Sequence, residues 1–255
     1  MENTPPRLYL CYGMPKSGST LAFQLTCAAA RRSGFDQSPL VGESNDFGAR
    51  EPEVFADLLR AARERDRRLV VVKTHAPPPD DIVAEIERGD VRAQAICRDP
   101  RDVALSMLDA SHRGDAWGKA GPGHRIAIPD DARPRLRRHV NRYLRWAALP
   151  NVLRLDYEHV AFKGAQAAGS IAGHLGVRPA ALRDIWAANR HFTQFNQGLR
   201  SRYETELSGA DAADWYAEFR EFIDEHCPKI SHRNDLATFA ARMARFMRSS
   251  KRAMR

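Results

Sequence analysis

Eight consecutive residues, Gly13-Met14-Pro15-Lys16-Ser17-Gly18-Ser19-Thr20, combine a pliable backbone, one cation and three hydroxyls. That set suits a multiply charged anion. Where such a loop runs into a helix, free backbone N–H groups converge and the helix dipole favours negative charge. Gly18 lets the backbone close on a phosphate, Ser19 and Thr20 add donors, and Lys16 adds charge. The stretch is not a Walker A loop, GxxxxGK[ST]: Ser19 stands where that motif has its lysine, and Lys16 sits inside the loop instead. A lysine there neutralises phosphate directly, which makes a metal dispensable. A second cluster is Lys73-Thr74-His75. Histidine titrates near neutrality, where a general base is most effective, although a lone histidine is more often structural. The third cluster runs from Arg98 through Asp99, Pro100 and Asp102 to Ser106. Arginine presents a planar fork that grips a phosphate with two bonds. Pro100 and Asp102 also suit a plain helix N-terminus, and both readings hold, because such a start positions the ligands.

Each cluster needs an element to hold it. The apolar run Arg7–Tyr12 predicts a buried strand ending at Gly13, and a helix follows from Ser19 to Gly34. A loop is expected around 39–52 and a helix over 53–65. A β-branched strand over 69–72 leads to Lys73, and three prolines, Pro77 to Pro79, forbid further pairing. A short helix over 82–88, a strand over 91–97 and a helix over 102–110 come next. Residues 114–130 hold several glycines and prolines and predict a long loop, of the kind that serves as a lid or substrate loop. A basic amphipathic helix over 131–148, a strand over 151–155 and further helices complete the order. Strands alternating with helices predict an α/β fold with a central parallel sheet flanked by helices on both faces. Ligands of such sheets sit beyond the carboxyl ends of the strands, where all three clusters fall.

Taken together, the three clusters resemble those of the sulfotransferases that use 3′-phosphoadenosine-5′-phosphosulfate (PAPS). Pro15 to Leu21 resembles that family's 5′-phosphosulfate loop, with Leu21 where the family often has tryptophan. Lys73-Thr74-His75 resembles its K-[TS]-H sequence, and Arg98 to Ser106 its 3′-phosphate segment, R-[DN]-P-[RK]-D-x-x-x-S. Leu155 to Glu158 resembles a segment whose tyrosine, here Tyr157, approaches the adenine; a core aromatic is an equal reading. Gly198 to Tyr203 loosely resembles the family's R-K-G-x-x-G-x-W stretch, with Asn196 and Gln197 in place of its R-K, so a third phosphate contact either falls to Arg200 or Arg202 or is missing. The resemblance implies a single P-loop-like α/β/α domain over 1–255, with PAPS as co-substrate and no metal. It implies that His75 is the base, Lys16 acts at the leaving bridging oxygen, and Lys73 supports the sulfuryl group. Pro15, Lys16, Ser17, Gly18, Ser19 and Thr20 would hold the 5′-phosphate, Arg98 and Ser106 the 3′-phosphate, and Tyr157, Gly198, Arg200 and Arg202 the rest of the nucleotide. The acceptor is a small molecule, sugar or lipid bearing a hydroxyl or amine.

The bulk composition is that of a soluble globular protein. The 255 residues suffice for one sizeable core, and 43% hydrophobic with 28% charged is ordinary for a globular chain. The start of the chain lacks the charge and apolar stretch of a signal peptide, so a cytoplasmic location is expected. Cys11, Cys27, Cys97 and Cys227 form no CxxC pair, and Cys11 and Cys97 read as reduced core residues. A net charge of +8 points to anionic partners without choosing among them. The arginine-rich tail over 241–255 reads as a solvated helix, with contact to anionic membranes as the alternative. Two rival functions are a P-loop kinase using ATP and a non-catalytic nucleotide- or nucleic-acid-binding protein. The missing Gly-Lys-[Ser/Thr] weighs against the first. With aromatics at 8% and no recognition motif, no nucleic-acid partner is expected.

Overall fold

Strand β1 (Leu8–Gly13) is buried along its whole length, and the molecule is organised about it. The computed structural model describes residues 5–40, 42, 44–47, 54–115, 118–121, 124–179 and 199–227. The basic tail over 241–255 lies outside the described residues. Among those described, β1 is followed by helices α1 (Ser19–Arg32) and α2 (Val54–Glu64), β2 (Val70–Thr74), α3 (Asp80–Arg88), β3 (Val91–Cys97) and α4 (Pro100–His112). Then come a small hairpin of β4 (Lys119–Gly121) and β5 (His124–Arg125), a 3-10 turn (Pro129–Ala132) and α5 (Arg133–Ala147). Strand β6 (Val152–Asp156), α6 (Tyr157–Phe162), α7 (Gly164–Leu175), α8 (Tyr203–Glu206) and α9 (Gly209–His226) complete the order.

The main sheet is parallel throughout, in the order β2-β1-β3-β6. Both of its faces are covered, as parallel sheets require. Alternate residues of β1 serve the two faces. Leu8, Leu10 and Tyr12 pack with Phe55, Leu58, Trp146 and Trp215 on one side. Tyr9 and Cys11 pack with Leu25, Ile171 and Leu175 on the other. Local rules set the helix starts. Asp99 accepts a hydrogen bond from Arg101 N with Pro100 in the first turn, and Asp156 accepts one from His159 N.

Two stretches expected as loops carry more order than that. Residues 45–47 lie along the open edge of β2: Lys73 N donates to Asn45 O at 2.8 Å and Phe47 N to Lys73 O at 3.0 Å. The buried edge of β2 needs a partner for its amides, and buried Phe47 anchors the segment that supplies one. Among the described residues of 114–130 are the paired strands β4 and β5 and the start of the 3-10 turn. Buried Ile126 donates its N–H to Gly118 O, and Asp131 Oδ2 accepts from Ala127 N and Ile128 N.

β1 pairs with β2 on one side and β3 on the other, so the connections leave in opposite directions at its carboxyl end. That is the switch point where open α/β sheets leave a crevice. The register aligns Tyr12 with Thr74 and Gly13 with Ile96. The residues that follow each strand, His75 and Arg98 among them, therefore emerge beside the loop that starts at Met14.

Candidate active site

The loop from Met14 to Gly18 folds back over the end of β3. Met14 N donates to Ile96 O at 3.0 Å, and buried Ser17 donates its hydroxyl to Met14 O at 2.6 Å and towards Ile96 O at 3.3 Å. Ser17 thus ties the loop together. Lys16 and Gly18 on either side of it have left-handed backbones, with φ of 62° and 79°. For lysine that conformation costs about 1–2 kcal/mol, strain of a kind that gathers at functional loops. Glycine is required twice. A Cβ at Gly13 would overlap Ser19, and one at Gly18 would meet the Tyr157 ring at 3.0 Å. Helix α1 begins without a side-chain cap and without an acidic residue in its first turn, so its N-terminal charge is not offset locally. Lys16 Nζ lies 3.5 Å from Asp115 Oδ2, and burial lowers its pKa against the pull of that carboxylate.

Lys73 and His75 follow from the end of β2. Lys73 Nζ donates to Asp46 Oδ2 at 2.9 Å and to Thr20 Oγ1 at 3.2 Å, joining the second cluster to the first. His75 is buried, and its Nδ1 lies 2.5 Å from Gly13 O. A carbonyl oxygen only accepts, so Nδ1 carries the proton and Nε2 of the neutral ring keeps its lone pair. Burial, then Lys73, lowers the His75 pKa to about 4. The ring is therefore neutral at pH 7.

The third cluster is more deeply enclosed. Arg98 Nη2 donates to Asp102 Oδ2 at 2.9 Å and to Leu199 O at 2.8 Å, while its Cζ lies 3.9 Å from the centre of the Tyr157 ring. Its Nε is buried without a hydrogen-bond partner among the described residues. An orphaned guanidinium N–H of this kind costs free energy unless an acceptor arrives. Ser106 is buried on α4, one turn beyond Asp102.

The C-terminal residues divide. Gly198 lies outside the described residues. Arg200 Nε is 3.0 Å from Glu158 Oε2, next to Tyr157. Arg202 is fully engaged elsewhere: Nε and Nη2 bond Glu206 at 2.6 and 2.7 Å, and Nη1 bonds Asp109 at 2.8 Å. Arg202 ties α8 to α4. The sequence reading missed Asp46 and Asp115, whose lysine partners no pattern marks, and the Gly13 carbonyl that sets the His75 tautomer. It also missed buried His139 on α5, whose charge environment includes His75.

A family model for the sulfotransferase domain matches residues 6–234. The chain belongs to the sulfotransferase family. No curated protein matches it closely enough to count. Solved structures share the fold of this sulfotransferase at low identity. A retinol dehydratase in complex with retinol and PAP is 15% identical, with TM-score 0.56 over 89% of this chain and 84% of the other. A complex of retinol dehydratase with androsterone and PAP is 16% identical, with TM-score 0.51 over 89% and 83%. The mouse sulfotransferase SULT7A1 complexed with PAP is 14% identical, with TM-score 0.52 over 86% and 84%. The family makes this chain an enzyme of sulfuryl transfer.

Proposed function

We propose that this sulfotransferase takes its sulfuryl group from PAPS and delivers it to a hydroxyl or amine, with His75 as general base. The observation that carries this reading is the joining of separate sequence clusters at one strand edge, through His75 Nδ1 on Gly13 O and Lys73 Nζ on Thr20 Oγ1. The solved relatives with PAP in their complexes support the choice of nucleotide. Two features of the chain fit a nucleotide with two phosphates. One is the glycine-closed loop at the start of α1, and the other is the orphaned Arg98 Nε.

In this reading Ser17 to Thr20, with Pro15 shaping the turn, receive the 5′-phosphate. Arg98 and Ser106 receive the 3′-phosphate, and Tyr157 borders the nucleotide where it stacks on Arg98. Arg200, beside Tyr157, is the better placed of the two C-terminal arginines, because Arg202 is consumed by its ion pairs. PAPS supplies the activated sulfuryl group. His75 Nε2 accepts the proton of the acceptor as its oxygen or nitrogen bonds to sulfur. Lys16 donates to the bridging oxygen that departs with the 5′-phosphate. Lys73 offsets charge on the sulfuryl oxygens. Positioning and fixed charge carry most of the rate gain in such in-line transfers. A histidine with a pKa near 4 is a weak base in the ligand-free protein. Nucleotide phosphates nearby favour its charged form and raise that value.

Calorimetric titration with PAP, 5′-AMP and ATP in EDTA tests the reading. Binding of the bisphosphate in clear preference is the expected result. Equal binding of all three, or a requirement for Mg²⁺ with ATP, would return the kinase reading to the front.

A further inference from the structure

Helix α5 carries six arginines and no acidic residue. Its two arginine faces are treated differently. Arg133 bonds Asp130 at 3.1 Å, Asp214 at 2.7 Å and Glu218 at 2.6 Å, and Arg137 also bonds Glu218. That face is neutralised by α9 and the turn before α5. The other face presents Arg135, Arg138, His139, Arg142 and Arg145, spaced at three and four residues so that they align.

This second stripe borders the catalytic histidine. Arg142 Nη1 lies 3.5 Å from His75 O, Arg145 Nη2 donates to Pro78 O at 3.3 Å, and Arg135 Nη1 donates to Lys119 O at 2.6 Å. It thus spans from the His75–Pro78 segment to the β4–β5 hairpin. Among the described residues, no carboxylate pairs with Arg138, Arg142 or Arg145. Asp46, which acts on His75 from another side, is engaged by Lys73. Buried within the stripe, His139 leaves Nδ1 without a hydrogen-bond partner among the described residues. The charges oppose one another. Burial, then Arg138 and Arg142, lowers the pKa of Arg135, and burial, then Arg135 and Arg142, lowers that of His139 to about 3. Like charges gathered at Arg138, Arg142 and Arg145, with no carboxylate on them among the described residues, are unfavourable in the ligand-free protein, and an arriving anion relieves them.

We propose that the acceptor of this sulfotransferase is itself an anion. Its carboxylate, sulfate or phosphate group would lie along the Arg138–Arg142–Arg145 stripe while its hydroxyl or amine reaches His75. The proposal deepens the function given above and rests on it. The arginines would select by charge-assisted bonds, which an uncharged analogue of equal size forfeits.

The test uses the full chain and acid/neutral pairs of acceptors with labelled PAPS. The pairs are 4-hydroxyphenylacetate and its amide, 6-hydroxyhexanoate and its amide, and methyl β-glucuronide and methyl β-glucoside. At least one acid is expected to exceed its neutral partner in kcat/KM by about 10-fold or more. The preference should shrink with added salt and largely vanish in the Arg138→Ala/Arg142→Ala variant, while Arg142→Lys retains part of it. The same variants are titrated with PAP, whose affinity should not change. If PAP binds and no acid outreacts its neutral partner, the proposal falls and the PAPS reading stands. A preference that survives the double variant also defeats it. If the wild-type protein does not bind PAP, both fall together.

Discussion

Lys16 and Lys73, at the ends of β1 and β2, are held by carboxylates that solvent still reaches, with Asp115 35% and Asp46 38% exposed. Arg98, at the end of β3, is held by Asp102, which is only 2% exposed, and by a carbonyl and an aromatic face. The two regions solve one problem in two ways. Near β3 the cation is oriented in advance, with one N–H left for a ligand, so binding there costs little reordering. Near β1 and β2 the lysines keep exchangeable partners, and an arriving anion can displace them. A site that must hold one phosphate still while charge moves at another gains from that division.

The largest effect expected from perturbing either region is that of His75→Asn. Asparagine keeps a donor for Gly13 O but no proton acceptor. kcat should fall about 10²–10⁴-fold, with PAP affinity by calorimetry unchanged. Loss of PAP binding as well would mean that His75 only braces the loop. The pH profile sharpens the same point. A base must be neutral, so the rate falls as pH drops through its pKa. kcat/KM for PAPS reports the free enzyme and should keep its acid limb near 4, the value burial gives His75. The limb of kcat should lie higher, because bound phosphates favour the imidazolium. Coincident limbs near that of an ordinary histidine would contradict the buried-base assignment.

Arg98→Ala comes next. It should weaken PAP about 10–100-fold, leave 5′-AMP nearly unaffected, and lower the melting temperature, since Asp102 is then buried without its cation. Equal losses for PAP and AMP would remove the 3′-phosphate from Arg98. The smallest effect belongs to Asp46→Asn and Asp115→Asn. Water reaches these pairs through their carboxylates, while the lysines are 11% and 4% exposed, so freeing the lysines should tighten PAP by about 2–5-fold and lower the melting temperature less than Arg98→Ala does. Weaker binding would show that these carboxylates aim the lysines, and the contrast between the two regions would disappear.

Much of the fold was legible from local patterns. The apolar runs of β1, β2 and β3 and the Gly, Pro and Asp residues that follow them mark elements whose bounds the structure moves by at most two residues, and those of β3 not at all. The alternation of strands and helices gives the parallel sheet. What escaped was long-range. Residues 45–47 pair along the edge of β2 through the amide and carbonyl of Lys73, and β4 pairs with β5 beside buried Ile126.

The candidate site divides along the same line. Residue type and spacing singled out the Pro15–Thr20 loop, His75 and Arg98, because anion binding and proton transfer demand particular groups close together in the chain, and the resemblance to PAPS-dependent sulfotransferases added Lys73 and Ser106. Only the tertiary structure decided which lone pair His75 offers, since Gly13 O lies 62 residues away. It also separated Arg200 from Arg202, which meet different distant carboxylates, Glu158 for the first and Asp109 for the second. And it left Arg138, Arg142 and Arg145 of α5 without a carboxylate among the described residues while α9 neutralised the other face. Local chemistry is written in neighbouring residues, whereas protonation, pairing and field depend on what the fold brings alongside.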